Sequence, residues 1–388
     1  MKYVFRASVV MTVFLLNACG GGSEAPAGGG GVTATEEEVG KLIFEDTRLS
    51  ANMNQSCASC HSATAGFADP DVTSASPVSE GSITGEFGAR NAPTSAYAMF
   101  SPAFSQITDP VRGQIYVGGQ FLDGRRDTLE AQAKDPFLNP VEMANPASLA
   151  VVNKVRNGPY ADEFMAVYGS NVFDNPATAY DRIAEAIAAF ERSAEMNPFT
   201  SKFDCYLQNS TLYPLTVREQ AGLGIFDDPN GGKCSNCHTI TPDPVSGEVL
   251  LTNFQHFNIG VPSNPNNPAN IADPTFVDRG LGGRLEAEGM LAATAALEDG
   301  KFKTPTLRNI ELTAPYMHNG VHATLDDVIR HYDLFGDDNI TPEVASDNIA
   351  TELGAGTFTG LGLQPQDYDD LVSFMRTLTD GSGVGICF

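Results

Sequence analysis

Two short runs, Cys57-Ala58-Ser59-Cys60-His61 and Cys234-Ser235-Asn236-Cys237-His238, constrain this chain more than any other feature of its 388 residues. In each, two thiols stand about one helical turn apart and a histidine follows the second without a gap. The thiols of such a run add across the two vinyl groups of a haem, and the adjacent imidazole reaches the iron as its proximal ligand. A zinc site drawing on all four thiolates is the alternative, but it gives no reason for a His to follow each Cys pair directly. The reading is two covalently attached haems c. Haem then replaces much of the apolar core, so a mainly α fold with long loops can be stable.

The runs are preceded by a repeat. Gly40-Lys41-Leu42-Ile43-Phe44-Glu45-Asp46 leads into the first and Gly222-Leu223-Gly224-Ile225-Phe226-Asp227-Asp228 into the second. Thr35 with Glu38, and Thr216 with Glu219, are spaced as capping boxes that start the two helices. The chain therefore reads as two cytochrome c-like haem domains, at 35–203 and 204–388. Further helices are expected over 176–197, with Ile183, Ile187 and Phe190 on one face, and over 325–334 after a capping Thr324. Another is expected over 365–378, presenting Tyr368, Leu371, Val372 and Met375 inward. Gly- and Pro-rich loops fill 70–95 and 262–283, and no segment alternates as a strand does.

The first residues read as a targeting segment. Lys2 and Arg6 precede a short apolar stretch, and Leu16-Asn17-Ala18-Cys19 resembles a bacterial lipobox, giving a signal peptide over 1–18 and a lipidated Cys19. An ordinary signal peptide with a leftover Cys is the alternative. The Gly-rich linker over 19–34 is a flexible leash. The expected product is an exported, periplasmic protein tethered by lipid to a bacterial membrane, most naturally the outer one. Of seven Cys, Cys205 and Cys387 remain after lipid and haem are served. In an oxidising compartment they pair in a disulfide if the fold brings them together, which spacing alone does not decide. The formal net charge of −25 speaks against nucleic acid as a partner. It suits either a docking face for a basic redox protein or simple solubility.

The six His distinguish the two haems. After His61 none occurs until His238, so the N-terminal haem has no second His from its own half. Met53, Met99 and Met143 are the other sixth ligands in reach of the sequence, each equally readable as packing. An iron with a vacant face binds and activates peroxide, whereas one with two protein ligands transfers electrons. The C-terminal half offers His256, Met317, His318, His322, His331 and Tyr332 to close the second haem.

Longer motifs add a resemblance. Asp123-Gly124-Arg125-Arg126, Thr128-Leu129-Glu130-Ala131-Gln132 and Asn139-Pro140-Val141-Glu142-Met143 resemble the bacterial dihaem cytochrome c peroxidase and MauG-like superfamily. So do Arg90-Asn91-Ala92-Pro93, Thr304-Pro305-Thr306-Leu307-Arg308-Asn309 and Thr313-Ala314-Pro315-Tyr316-Met317-His318-Asn319-Gly320. The resemblance implies that Gln132 and Glu142 stand over a peroxide-reactive N-terminal haem. A carboxylate there can take a proton from one peroxide oxygen and return it to the other, an effect of about 10²–10⁴-fold. It also implies that Asn91, Thr313 and Pro315 surround an inter-domain calcium ion. Tyr332 falls where the peroxidases place a Met ligand and MauG-like enzymes a Tyr. A phenolate favours ferric and higher-valent iron.

Two departures from the resembled pattern matter. Peroxidases that need reductive activation carry a His in the loop after the first motif, and residues 62–90 hold none. Activity without prior half-reduction is expected. The resembled proteins also carry a Trp before the Asp-Gly-Arg run, where this chain has Leu122 and no Trp anywhere. Electrons then tunnel directly between haems or use a residue such as Tyr116 or Phe121. The leading expectation is an oxidoreductase that reduces hydrogen peroxide with electrons from a small cytochrome or cupredoxin. The alternatives are a MauG-like enzyme that oxidises side chains of a partner protein, and a non-enzymatic dihaem electron-transfer lipoprotein.

Overall fold

Thr35 caps the first helix as its spacing predicts. Its side chain accepts from the Glu38 amide while the Glu38 carboxylate accepts from the Thr35 amide, closing a capping box on α1 (Glu36–Phe44). The computed structural model describes residues 34–334, 341–344, 360–381 and 387. The signal segment, Cys19 and the linker up to residue 33 lie outside the described residues.

The first motif forms a single turn, α2 (Cys57–Cys60). A hairpin of β1 (Ser105–Asp109) and β2 (Gly113–Val117) follows, and then α3 (Leu129–Leu138), α4 (Ser148–Arg156), α5 (Ala161–Tyr168) and α6 (Pro176–Glu191). The second half opens with α7 (Lys202–Gln208) and α8 (Val217–Asp227). A two-residue strand, β3 (His256–Phe257), precedes α9 (Pro268–Ala272), α10 (Gly280–Ala287) and α11 (Ala292–Ala295). Its partner β4 (Phe302–Lys303), then α12 (Leu325–Asp333) and α13 (Pro365–Arg376), complete the order. Thr216 and Thr324 close capping boxes on α8 and α12.

The repeat in the sequence is a repeat in space. α1 crosses α6, and α8 crosses α13. At the first crossing a β-carbon on Gly40 would lie 1.8 Å from the Ala186 carbonyl oxygen, and at the second one on Gly222 would lie 2.0 Å from that of Asp370. Only glycine admits backbones this close. Beside each glycine an aromatic pair meets edge to face: Phe44 with Phe190 at 5.2 Å, and Phe226 with Phe374 at 5.1 Å. Each crossing sits in its own apolar cluster. One is built from residues 39–196 around Ile43, Phe137 and Ile187. The other is built from residues 203–378 around Phe203, Leu251 and Leu371.

The hairpin differs from the sequence expectation of no strands. Its residues are mostly exposed, so no apolar alternation marks it. The Asp109 carboxylate makes the turn by accepting from the amides of Val111 and Arg112 at 2.9 and 2.8 Å. Among the described residues no helix is long and apolar enough to cross a membrane.

Candidate haem sites

Both Cys-x-x-Cys-His runs turn back on their first cysteine, the first as an α-helical turn and the second as a 3-10 turn. The His61 amide donates to the Cys57 carbonyl at 2.9 Å and the His238 amide to that of Cys234 at 2.8 Å. In each the Nδ1 edge of the ring faces a backbone carbonyl: Phe67 at 3.1 Å for His61, and Leu251 at 3.1 Å for His238. A donor bond from Nδ1 fixes the tautomer and leaves Nε2 as the metal ligand. Both carbonyls belong to residues of positive φ, 60° at Phe67 and 55° at Leu251. Burial pushes His238 down to about 4, against the pull of the Leu251 and Pro305 carbonyls. His61 is lowered for the same reason, against those of Phe67 and Pro93. Neutral imidazoles with an oriented Nε2, beside half-buried Cys57, Cys60 and Cys234 thiols that form no disulfide, are a donor set that fits covalent haem. The Phe67 and Leu251 carbonyls carry no side-chain signal, and sequence reasoning missed them.

Gln132 lies on α3, whose N-terminus is capped by the Thr128 side chain. Pro136, four residues on, has no amide to give the Gln132 carbonyl. Glu142 follows in the turn that ends this helix. Its amide donates to the Asn139 carbonyl at 3.1 Å, and its own carbonyl accepts from Ser82 at 2.6 Å. Its carboxyl is held above the usual range by burial, with Arg125 and the Asn139 side chain pulling it back down. The fold brings this carboxyl to the first motif. Burial pushes the Cys60 thiol up to about 12, with Asp69 and Glu142 adding to it. Cys57 is raised likewise by burial, Glu191 and Glu142. Glu191 is buried, has one carboxyl oxygen without a hydrogen-bond partner and is pushed up to about 8 by burial. Sequence reasoning missed it as well.

Of the methionines named from sequence, Met53 is 65% exposed and Met143 is 3% exposed within the first apolar cluster. In the second half, Tyr332 is raised by burial and then by the thiols of Cys237 and Cys234, so its phenol lies beside the second motif. His331 meets the Ile259 carbonyl at 2.8 Å, and His318 meets Glu343 at 3.2 Å. The Nε2 of His322 is buried without a hydrogen-bond partner.

Asn91 is buried, and its side-chain amide donates to the Pro315 carbonyl at 2.7 Å, while the Thr313 hydroxyl turns to Ile310 at 3.3 Å. Among the described residues no three His, Cys, Asp or Glu gather as a metal site. Asn91 and Pro315 themselves offer neutral oxygens, a set that suits calcium only together with waters. Cys205 and Cys387 are joined in a disulfide, with Cα atoms 5.1 Å apart. Around Leu122, Tyr116 stacks on Phe104 at 5.3 Å and Phe121 lies 3.4 Å beneath the Arg125 guanidinium.

Comparison with known proteins agrees with this geometry. Residues 34–211 match the family model for di-haem cytochrome c peroxidase. Methylamine utilization protein MauG of Paracoccus denitrificans is 38% identical over 354 residues, covering 88% of each chain. Cytochrome c551 peroxidase of Nitrosomonas europaea is 32% identical, covering 76% of this chain and 71% of its own. The crystal structure of the diheme peroxidase BthA from Burkholderia thailandensis superposes with a TM-score of 0.79 at 31% identity, over 89% of this chain and 86% of that one. Two haem-attachment runs on one duplicated helical frame, matched along most of the chain, make it a member of the di-haem cytochrome c peroxidase and MauG family of oxidoreductases.

Proposed function

We propose that this protein reduces hydrogen peroxide at its N-terminal haem, with electrons arriving through the C-terminal haem from a small cytochrome or cupredoxin. The supporting observation is the Glu142 carboxyl, brought beside Cys57 and Cys60 and held by burial above the ordinary carboxylate range. When bound, the N-terminal haem would supply the iron chemistry of peroxide reduction. The chain's own residues supply the proton handling. Glu142 takes a proton from one peroxide oxygen and returns it to the other, which leaves as water. Gln132 orients the peroxide by hydrogen bonding. His61 and His238 would hold the irons, their rings oriented by the carbonyls of Phe67 and Leu251.

The test is Glu142→Gln in the ferric holoprotein, mixed with peroxide by stopped flow. The rate of the haem absorbance change is expected to fall about 10²–10⁴-fold. An unchanged rate would leave an electron carrier.

A second reading has its own support. Tyr332 lies beside Cys234 and Cys237, and a phenolate ligand there suits oxidation of side chains on a partner protein, the MauG type of activity. Turnover of reduced cytochrome c with peroxide, set against oxygen incorporation into a co-expressed partner, separates the two readings. Under both, the protein is periplasmic and anchored by lipid at Cys19. Calcium held by Asn91, Thr313 and Pro315 joins the two haem domains, and chelation is expected to slow the peroxide reaction.

A further inference from the structure

The repeat reaches beyond the helices, into a loop that follows each motif. Thr94 and Thr306 occupy the same place in the two halves, each after a proline, Pro93 or Pro305. The Thr94 hydroxyl donates to the Gly66 carbonyl at 2.6 Å and the Thr306 hydroxyl to that of Leu250 at 2.7 Å. Gly66 and Leu250 each stand one residue before the carbonyl that faces His61 or His238. Each threonine oxygen also accepts from the amide two residues on, Ala96 at 3.0 Å and Arg308 at 3.1 Å. The next residue in each loop has positive φ, 62° at Tyr97 and 61° at Asn309. Asparagine tolerates that region, whereas a bulky tyrosine there is strained and persists only when its surroundings hold it.

The two residues meet on one carboxylate. Tyr97 is buried, and its hydroxyl donates to Asp380 Oδ2 at 2.6 Å. The Asn309 side-chain amide donates to the same oxygen at 3.0 Å, and the Asn309 side-chain oxygen accepts from the Asp380 amide at 2.8 Å. Tyr97 thereby joins the surroundings of the two histidines. Toward the first, the Ser95 amide, two residues before Tyr97, donates at 2.9 Å to the Phe67 carbonyl that faces His61. Toward the second, the Tyr97 ring lies 5.0 Å from the Arg308 guanidinium. Arg308 Nε donates at 3.0 Å to the carbonyl of Val249, two residues before the Leu251 that faces His238. A phenol that loses an electron becomes a strong acid, so a buried one is oxidised readily only with a proton acceptor in hydrogen-bond reach. Asp380 is that acceptor for Tyr97. Tyr160 has a like partner in Asp46 at 2.6 Å, but both of those residues belong to the first half.

We propose that Tyr97 is a redox-active residue that relays electrons between the two haem sites, with Asp380 as the acceptor of its proton. The proposal rests on the peroxide reading above, and peroxide is the oxidant. Tyr97 gives one electron toward the first site. Its O–H bond breaks and the proton moves to Asp380 Oδ2, leaving a neutral phenoxyl radical. An electron from the donor protein, arriving through the second site, reduces the radical, and the proton returns to the phenol oxygen. Both electrons that hydrogen peroxide takes up pass in this way, one after the other. The chain holds no Trp, so no indole competes for the role.

The experiment mixes the ferric holoprotein with hydrogen peroxide, without an electron donor, and freezes it within milliseconds for electron paramagnetic resonance. A radical signal that narrows in protein made with ring-deuterated tyrosine is expected, since nothing then refills Tyr97. Tyr97→Phe keeps a ring against Arg308 and Phe199 and is expected to lose that signal, while Tyr160→Phe and Tyr116→Phe keep it. Asp380→Asn removes the base and is expected to slow the growth of the signal by about 10²–10⁴-fold, with Asp380→Glu restoring part of the rate. In protein first reduced at the C-terminal haem, oxidation of that haem by peroxide is expected to slow in Tyr97→Phe. Haem absorbance reports the fold of each variant, and Asp380→Asn carries the test if Tyr97→Phe does not fold. A signal absent from the wild type, or retained in Tyr97→Phe, overturns the proposal. Growth at the wild-type rate in Asp380→Asn overturns Asp380 as the acceptor, and an unchanged oxidation rate of the C-terminal haem overturns the relay. Glu142→Gln reacting with peroxide at the wild-type rate would instead overturn the underlying reading, so the two failures are distinct.

Discussion

Arg308 forks onto Asp204: its two terminal nitrogens donate to the carboxylate at 3.0 and 2.7 Å, with the side chains 1% and 6% exposed. The same guanidinium donates to the Val249 carbonyl from Nε at 3.0 Å and lies over the rings of Tyr97 and Phe199. It fastens the start of α7 to the loop beside the second motif. Asp204→Ala leaves a buried cation without its counter-ion and is expected to cost about 3–5 kcal/mol in denaturant unfolding. The pH dependence follows. Burial works to raise the Asp204 carboxyl, but the bonds and charge of Arg308 hold it below its ordinary value. A lowered carboxyl contributes stability that is complete above the unfolded value, about 4, and is lost as pH falls through the native one. Acid titration of the wild type is therefore expected to lose stability below about pH 4 that Asp204→Asn has already lost at neutrality.

Gly40→Ala and Gly222→Ala test the two helix crossings. Each added methyl meets a backbone carbonyl that cannot yield without parting the helices. Overpacking of a well-packed site costs about 1–3 kcal/mol, and these sites belong at the upper end or beyond. Denaturant unfolding of the holoprotein measures both. A loss under about 1 kcal/mol in either would contradict the backbone contact.

The Cys205–Cys387 disulfide closes a loop across a sequence separation of 182. Cys387→Ser is expected to lower stability by roughly 2–5 kcal/mol, because the unfolded chain regains the freedom that the crosslink removes. Mild reductant should produce the same change in the wild type and none in the variant.

Replacing Tyr332 by Met tests its place beside the second motif. With Tyr332 as the ligand proposed above, exchange of its phenolate for a thioether is expected to raise the reduction potential of the second haem by on the order of 100 mV, a fraction of the ~0.8 V that axial ligands span. Spectroelectrochemistry reads the two haems separately, so the first potential serves as the internal control. An unmoved second potential would exclude Tyr332 as the ligand and turn attention to His322.

Much of this protein is written locally. The capping boxes at Thr35, Thr216 and Thr324 are complete within four residues each, and the helices they start were legible for that reason. Helix ends were less so: α6 stops at Glu191, short of the expected 197, where the Asn197 side-chain amide turns back and donates to the Glu191 carbonyl at 2.8 Å. The hairpin escaped notice because its strands bury little and so carry no pattern.

The sequence by itself determined the attachment chemistry and the duplication, since two thiols, a histidine and a Gly-x-x-Ile-Phe helix need only neighbouring residues to be recognised. Only the tertiary structure decided which carbonyls orient His61 and His238, that Cys205 meets Cys387, and that Tyr97 and Asn309 meet on Asp380. Those relationships join residues far apart in the chain. Their geometry is set by how the helices cross and where the loops run, which no local spacing encodes.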